Sequence, residues 1–296
     1  MRNRQRATRL CQGNIMTLFV LAASICALLV WGALRGRRGP SLHKWSLAVV
    51  FRPTEAMSPE QLFGCLLSGN FALLMRDNFN QLASGLSARR IHRVLYAHWA
   101  IDSQERCLRV IQSRLEGLGR MSPAEKRAIA AWLLREQVDS DEYAALEDSC
   151  LYMVRVARIA RVDELRQDRL SVMAWDIQQL AYLVRLACTV GYLSKPRARE
   201  LLQVLAAHAR CHCGSWKDYS LAALLGLGLR GSRASFDHAE WAQFARTHLV
   251  FLNPSRSPTR SASHWHEGSA PAAPLRHGAG SREAWAAVPA GRAVAS

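Results

Sequence analysis

One short signal recurs along this chain and limits its fold more than any composition figure. SPEQ at 58–61 places Ser58 at a helix N-cap, Pro59 at the first helical position and Gln61 at the third. SPAE at 122–125 repeats the pattern with Ser122, Pro123 and Glu125. DSQE at 102–105 offers Asp102 and Glu105, and SWKD at 215–218 offers Ser215 and Asp218. A hydroxyl or carboxylate at the cap accepts from an otherwise unpaired N–H, and Pro costs nothing where that N–H is orphaned anyway. Apolar residues after the starts keep helical spacing. Leu108, Ile111, Leu115 and Leu118 form one stripe, and Ile129, Leu133 and Leu134 belong to another. WSLAVVF at 45–51 is the only plausible strand, and one strand makes no sheet. The expected fold is all-α: a multi-helix globular domain of about nine helices over 58–252, joined by short polar links such as DSDE at 139–142.

Within that domain, AWDIQQLAYLVRLACTVGYLS at 174–194 is apolar on most of its circumference. Arg185 splits the apolar run, which is then too short for the ~20 residues that a spanning helix needs. Asp176 sits where a carboxylate favours a helix N-terminus, and Gly191 where a left-handed residue ends one. A helix apolar all round is a buried helix. This stretch is therefore expected to be the centre of the core, and Arg185 to need a partner there.

The net charge of +16 invites a nucleic-acid reading, but its distribution argues otherwise. Residues 1–54 hold nine Arg or Lys and no Asp or Glu, whereas residues 55–252 hold 25 basic and 21 acidic residues. A nucleic-acid-binding domain carries its surplus on its own folded surface. Here the surplus flanks an apolar segment, Ile15–Leu34, which is long enough to cross ~30 Å of hydrocarbon. It lacks the short apolar core and small-residue cleavage site of a secretory signal and ends in Arg35, Arg37 and Arg38. The expected organisation is a basic segment (1–14), a transmembrane helix (15–34), a linker (35–57), the helical domain (58–252) and a disordered tail (253–296) rich in Ala, Ser, Pro, Gly and Arg. The two flanks of the anchor are almost equally basic, so they do not set its orientation. Eight cysteines at irregular spacing read as reduced thiols, which favours a cytoplasmic main domain.

Chemistry-bearing motifs are few. His208, Cys211 and His212 would share a helix face beside Cys213, and zinc accepts those ligand types. No second Cys or His pair stands at a finger-like distance, so these four read as helix-end residues, and no metal or other cofactor is expected. GLGLRG at 226–231 matches the dinucleotide pattern literally but lacks its strand, so its glycines should end a helix and let it pack closely. VRVARIARVDELRQDRL at 154–170 interleaves Arg with Asp and Glu and reads as a solvated helix face. Nucleophile-elbow, zincin and phosphate-loop motifs do not occur in the sequence, and nothing in it argues for a catalytic residue.

AWDIQQLAYLVRLACTVGYLSKPRARELLQVL, followed by GSWKDYSLAALLGLGL, resembles domain-of-unknown-function family 1266, a bacterial helical family. LYAHWAIDSQERCLRVIQSRLEGLG at 95–119 is similar to that family's earlier segment, and together the likeness covers roughly residues 60–255. The positions that fall in the family's order are Trp99, Trp175, Asp176, Arg185, Gly191, Tyr192, Ser215 and Trp216. Gln179 stands where the family usually carries Arg, and Pro196-Arg197 replace its usual acidic pair. The resemblance implies a helical fold and no assigned activity. A non-enzymatic, single-pass protein of a bacterial inner membrane that binds another protein is the expectation. A metal or enzyme site near Asp176, Arg185 and the His208–Cys213 cluster is the alternative.

Overall fold

The computed structural model describes residues 57–166, 172–230, 238–252 and Trp265. The expected membrane anchor, the linker and the 45–51 stretch lie outside the described residues. Ten α-helices and no strand occur among the described residues. They are α1 (Pro59–Leu66), α2 (Gly69–Leu74), α3 (Ala88–Trp99), α4 (Gln104–Glu116), α5 (Pro123–Leu134), α6 (Asp141–Leu151), α7 (Met173–Thr189), α8 (Lys195–His212), α9 (Trp216–Arg230) and α10 (His238–Phe251). None of these is long and apolar enough to cross a membrane.

The starts are where the caps put them. Ser58 and Ser122 form full capping boxes with Gln61 and Glu125, each with Pro at the first position. Ser215 accepts from the Asp218 N–H at 3.1 Å. In DSQE the cap is Ser103, one residue later than expected, because its hydroxyl accepts from the Arg106 N–H. The polar link at 139–142 also caps: Ser140 accepts from Tyr143.

Helix α7 is the hub, packing against α1, α2, α3, α4, α8 and α9. Thirteen of its seventeen residues are buried, from Ala174 to Ala187. It ends in a Schellman turn: the Tyr192 N–H donates to the Ala187 oxygen (2.8 Å), the Gly191 N–H to that of Cys188 (3.2 Å), and Gly191 takes φ +80°. A second layer joins α5 to α6 and α6 to α9, while α10 lies across α2.

Three expectations need correction. Residues 154–170 are not one helix: a π-helical turn (Tyr152–Val156) follows α6, Arg158 turns left-handed at φ +52°, and a 3₁₀ turn occupies Glu164–Arg166. Gly226 and Gly228 lie inside α9 rather than ending it. A Cβ on Gly226 would meet Trp175 of α7, and one on Gly228 would meet Ser149 of α6, so these glycines set how closely three helices approach. Leu134 belongs to no buried stripe: it is 67% exposed, and Ile129 and Trp132 make the buried side of α5.

Within the expected disordered tail, Trp265 is the one residue described. Its ring is buried 4.9 Å from Trp216, 5.2 Å from Phe63 and 5.8 Å from Tyr219, and its Nε1 donates to the Cys213 oxygen at 2.7 Å. The rest of 253–296 lies outside the described residues.

Candidate functional site

The residues singled out from the sequence do not converge on one cavity. Trp99 and Trp175 are buried and share Phe71, at 6.3 and 6.0 Å between ring centres. Trp216 is buried in the Phe63, Tyr219, Phe251 and Trp265 cluster, beneath the turn that Ser215 caps. Tyr192 is half-buried, with its hydroxyl 3.4 Å from His92 Nδ1, and its backbone oxygen accepts from Gln104.

Arg185 is wholly buried, and its expected partner is a loop. Nε donates to the Gln81 oxygen (2.9 Å), Nη1 to Ser68 Oγ (2.9 Å), and Nη2 to the backbone and side-chain oxygens of Asn78 (2.8 and 2.6 Å). The same loop is held from its start by Asp77. Its carboxylate accepts from the Asn78 and Gly85 N–H groups, from Ser84 Oγ and from Tyr182 Oη. Burial, with Asp77 adding to it, pushes the Tyr182 hydroxyl well above its ordinary range, so it stays a donor. The sequence reading missed Asp77. A run of Asp, Asn and Ser after a helix was a usable signal, because buried non-helical backbone needs such partners.

Asp176 ties three segments together. It accepts from the Gly119 N–H at 2.9 Å and pairs with Arg230 Nη1. Arg230 also reaches Glu125 (3.3 Å) and the Arg120 oxygen, so the end of α9 is fastened to the α4–α5 turn and to the start of α7. Burial raises the Asp176 carboxyl above its ordinary value, and Arg230 only partly offsets that.

The metal alternative finds little geometry. His208 is half-buried within α8, Cys211 and His212 are exposed near its end, and Cys213 is buried in the extended cap. Among the described residues no three His, Cys, Asp or Glu side chains stand together in a way that could hold a metal ion. A Ser–His pair does exist: Ser220 Oγ lies 2.6 Å from His248 Nδ1 and 2.5 Å from Asn70 Nδ2. All three are buried, so the pair joins α2, α9 and α10 and offers no route to a substrate.

A recess open to solvent runs along α4. It encloses about 420 Å³ and is lined by Trp99, Arg106, Arg109, Val110, Ser113 and Arg114. Arg106, Val110 and Ser113 stand three and four apart along one face of α4, with Arg109 and Arg114 on its two flanks. The four polar ones are exposed. Arg109 meets Glu105 at 3.1 Å, and Arg114 reaches Gln179 at 3.4 Å. Trp99, which floors the recess, has an indole N–H with no acceptor among the described residues. Chemically this is a shallow cationic groove with an apolar base.

Fold and groove together define an all-helical domain in which Trp99, Trp175, Asp176, Arg185 and Trp216 are buried. The chain belongs to the protein family of unknown function DUF1266, whose model matches residues 94–266. That match takes in α4, α7 and the Trp265 contact. No curated protein and no solved structure matches the chain.

Proposed function

We propose that this chain is a single-pass protein of a bacterial inner membrane whose helical domain, on the cytoplasmic side, works by binding another protein rather than by catalysis. One observation carries the binding reading: Arg185 and Asp176 are spent on internal contacts, while the accessible polar recess on α4 is made of recognition chemistry. Arg185 is consumed by the 77–87 loop and Asp176 by Arg230 and Gly119. Tryptophan and arginine, the residues of the groove, are those most enriched where proteins dock. The membrane reading rests on the apolar Ile15–Leu34 segment and its basic flanks.

Photo-crosslinking in living cells tests the binding part. A crosslinker at Ser113 should give one protein adduct that the same group at exposed Ala130 on α5 does not. Equal labelling from both positions would sink it. Alkaline extraction tests the anchor: the full chain should stay with membranes, and a chain lacking residues 1–34 should be released. An impermeant thiol reagent on Asp139→Cys, in a Cys11→Ser, Cys211→Ser background, should label only permeabilised cells.

A further inference from the structure

We infer that the outer face of α3 rests on an anionic phospholipid surface, with Arg89, Arg93 and Tyr96 at the contact. The inference depends on the single-pass reading above and says which side of the domain meets the bilayer that holds it.

Charge singles out this helix. Among the ten described helices, α3 alone carries arginines and no acidic residue. Asp77 before it is buried, with its carboxylate bonded inwards to Ser84 and Tyr182, and the next Asp or Glu in the chain is Asp102. Ile91, Val94, Leu95 and Trp99 fill the side of α3 that faces the core. Arg89, Arg93 and Tyr96 stand four and then three residues apart, so they form one row on the opposite side. All three are exposed, Tyr96 by 66%. Neither arginine pairs with a carboxylate among the described residues. Arg90, beside the row, is held by the Met75 oxygen at 3.0 Å.

The surrounding acids are few and mostly answered. On one flank His92 lies 3.4 Å from the Tyr192 hydroxyl, and the first acid after that tyrosine, Glu200, is paired with Arg197 at 2.7 Å. Past the left-handed turn at Ala100, Asp102 is exposed and Glu105 is paired with Arg109 at 3.1 Å. The arginines lie towards the other end of α3: Arg93 and Arg89 precede Trp99 by about 9 and 15 Å of helix axis.

The row fits a bilayer better than another polyanion. A protein partner wants an apolar centre to its interface, and α3 exposes no large aliphatic side chain. Nucleic-acid sites collect about 6–10 phosphate contacts, more than one short row supplies. A lipid surface asks for less. Each arginine close to an anionic leaflet raises occupancy about fivefold, and tyrosine favours the headgroup level. The apolar segment ends at Leu34, 24 residues before Pro59. A chain of that length spans at most about 80 Å, and such confinement turns a weak attraction into a standing contact.

The test uses the full-length chain reconstituted in vesicles, with a photo-crosslinker at Ala97, which is exposed beside the row. In phosphatidylcholine with phosphatidylglycerol, about three to one, Ala97 should give at least about fivefold more lipid adduct than Ala130 on α5. Pure phosphatidylcholine should show no such excess, and high salt should reduce it. Arg89→Gln with Arg93→Gln should lower the Ala97 adduct about tenfold or more. Lys126→Gln with Arg127→Gln removes the same charge from α5 and should leave it unchanged. Equal adducts at Ala97 and Ala130, or equal loss in the two double variants, would overturn the inference. A DNA duplex bound by the chain in neutral detergent, and lost from the α3 variant, would make this a nucleic-acid face and overturn it too. So would a discrete protein adduct at Ala97 in cells. A chain that stays in the vesicles at alkaline pH without an Ala97 adduct would sink the docking and leave the anchor standing, whereas release at that pH would remove both.

Discussion

Arg185 Nη2 donates to both the backbone oxygen and the side-chain oxygen of Asn78, at 2.8 and 2.6 Å. A central helix thereby grips a loop more than a hundred residues earlier by two atoms of one residue. The other acceptors, the Gln81 oxygen and Ser68 Oγ, are neutral as well. Arg185→Met would fill much of the space but leave four buried acceptors unmet, each costing about 1–3 kcal/mol and not strictly additive. The expected loss is about 3–5 kcal/mol, read by urea unfolding of the purified chain. Arg185→Lys keeps the charge without the planar fork and should recover only part of it. A loss under about 1 kcal/mol for the Met variant would mean water replaces these bonds.

Gly228→Ala sets two effects of opposite sign against each other. In an open helix the change gains about 1 kcal/mol from propensity. Here the added Cβ would run into Ser149 Oγ, and the Ser149 Cβ is only 2.9 Å away. Overpacking of that kind costs about 1–3 kcal/mol, so the clash should win and the variant unfold more readily. Ser149→Gly in the same chain should cancel most of the penalty. A double-mutant cycle without favourable coupling would show that α6 and α9 simply move apart.

Local physics was legible and long-range physics was not. The serine caps and Gly191 depend on a few neighbouring residues, so their spacing alone placed them. Buried Arg185 announced that it needed partners but not which ones, because Asn78, Gln81 and Ser68 are brought to it only by the fold. The same holds for Asp176, whose Arg230 comes from the far end of α9. The break after α6 was missed because its arginine pattern suits a helix, while the backbone turns at Arg158. The α4 groove was not legible: Leu108, Ile111 and Leu115 mark the opposite side of that helix, and Trp99 reads only as a motif position.

His248 should make the domain sensitive to acid. Ser220 Oγ accepts from Asn70 and lies 2.6 Å from His248 Nδ1, a buried contact that a neutral imidazole makes without burying a charge. Burial, with a smaller push from Lys217, lowers the ring from 6.5 to about 4. The folded pKa lies below the unfolded one, so this stability is complete above 6.5 and is lost as pH falls towards 4, where the unfolded chain alone takes the proton. At 1.36 kcal/mol per unit the loss is about 3 kcal/mol. Unfolding measured from pH 7 to 4 should show it in the native chain and not in His248→Asn, whose own stability need not match. Parallel pH profiles for the two would refute the assignment.

Trp265 provides the sharpest test of how far the folded domain extends. Its neighbours in sequence suggest no structure, yet its ring closes the Phe63, Trp216 and Tyr219 cluster and its N–H meets the Cys213 oxygen. Trp265→Ala should cost about 3–5 kcal/mol, the range for deleting a buried indole. Trp265→Phe keeps most of the contact area and loses the hydrogen bond, so about 1–2 kcal/mol is expected. The two variants separate packing from bonding, because a hydrogen-bond anchor would penalise both equally. Near-ultraviolet circular dichroism should change in both, since Trp216 lies 4.9 Å away and reports the packing of its partner ring. If Trp265→Ala instead unfolds like the native chain, the ring is not seated in solution. The cleft between α1, α8 and α9 would then stand open for another aromatic group to enter.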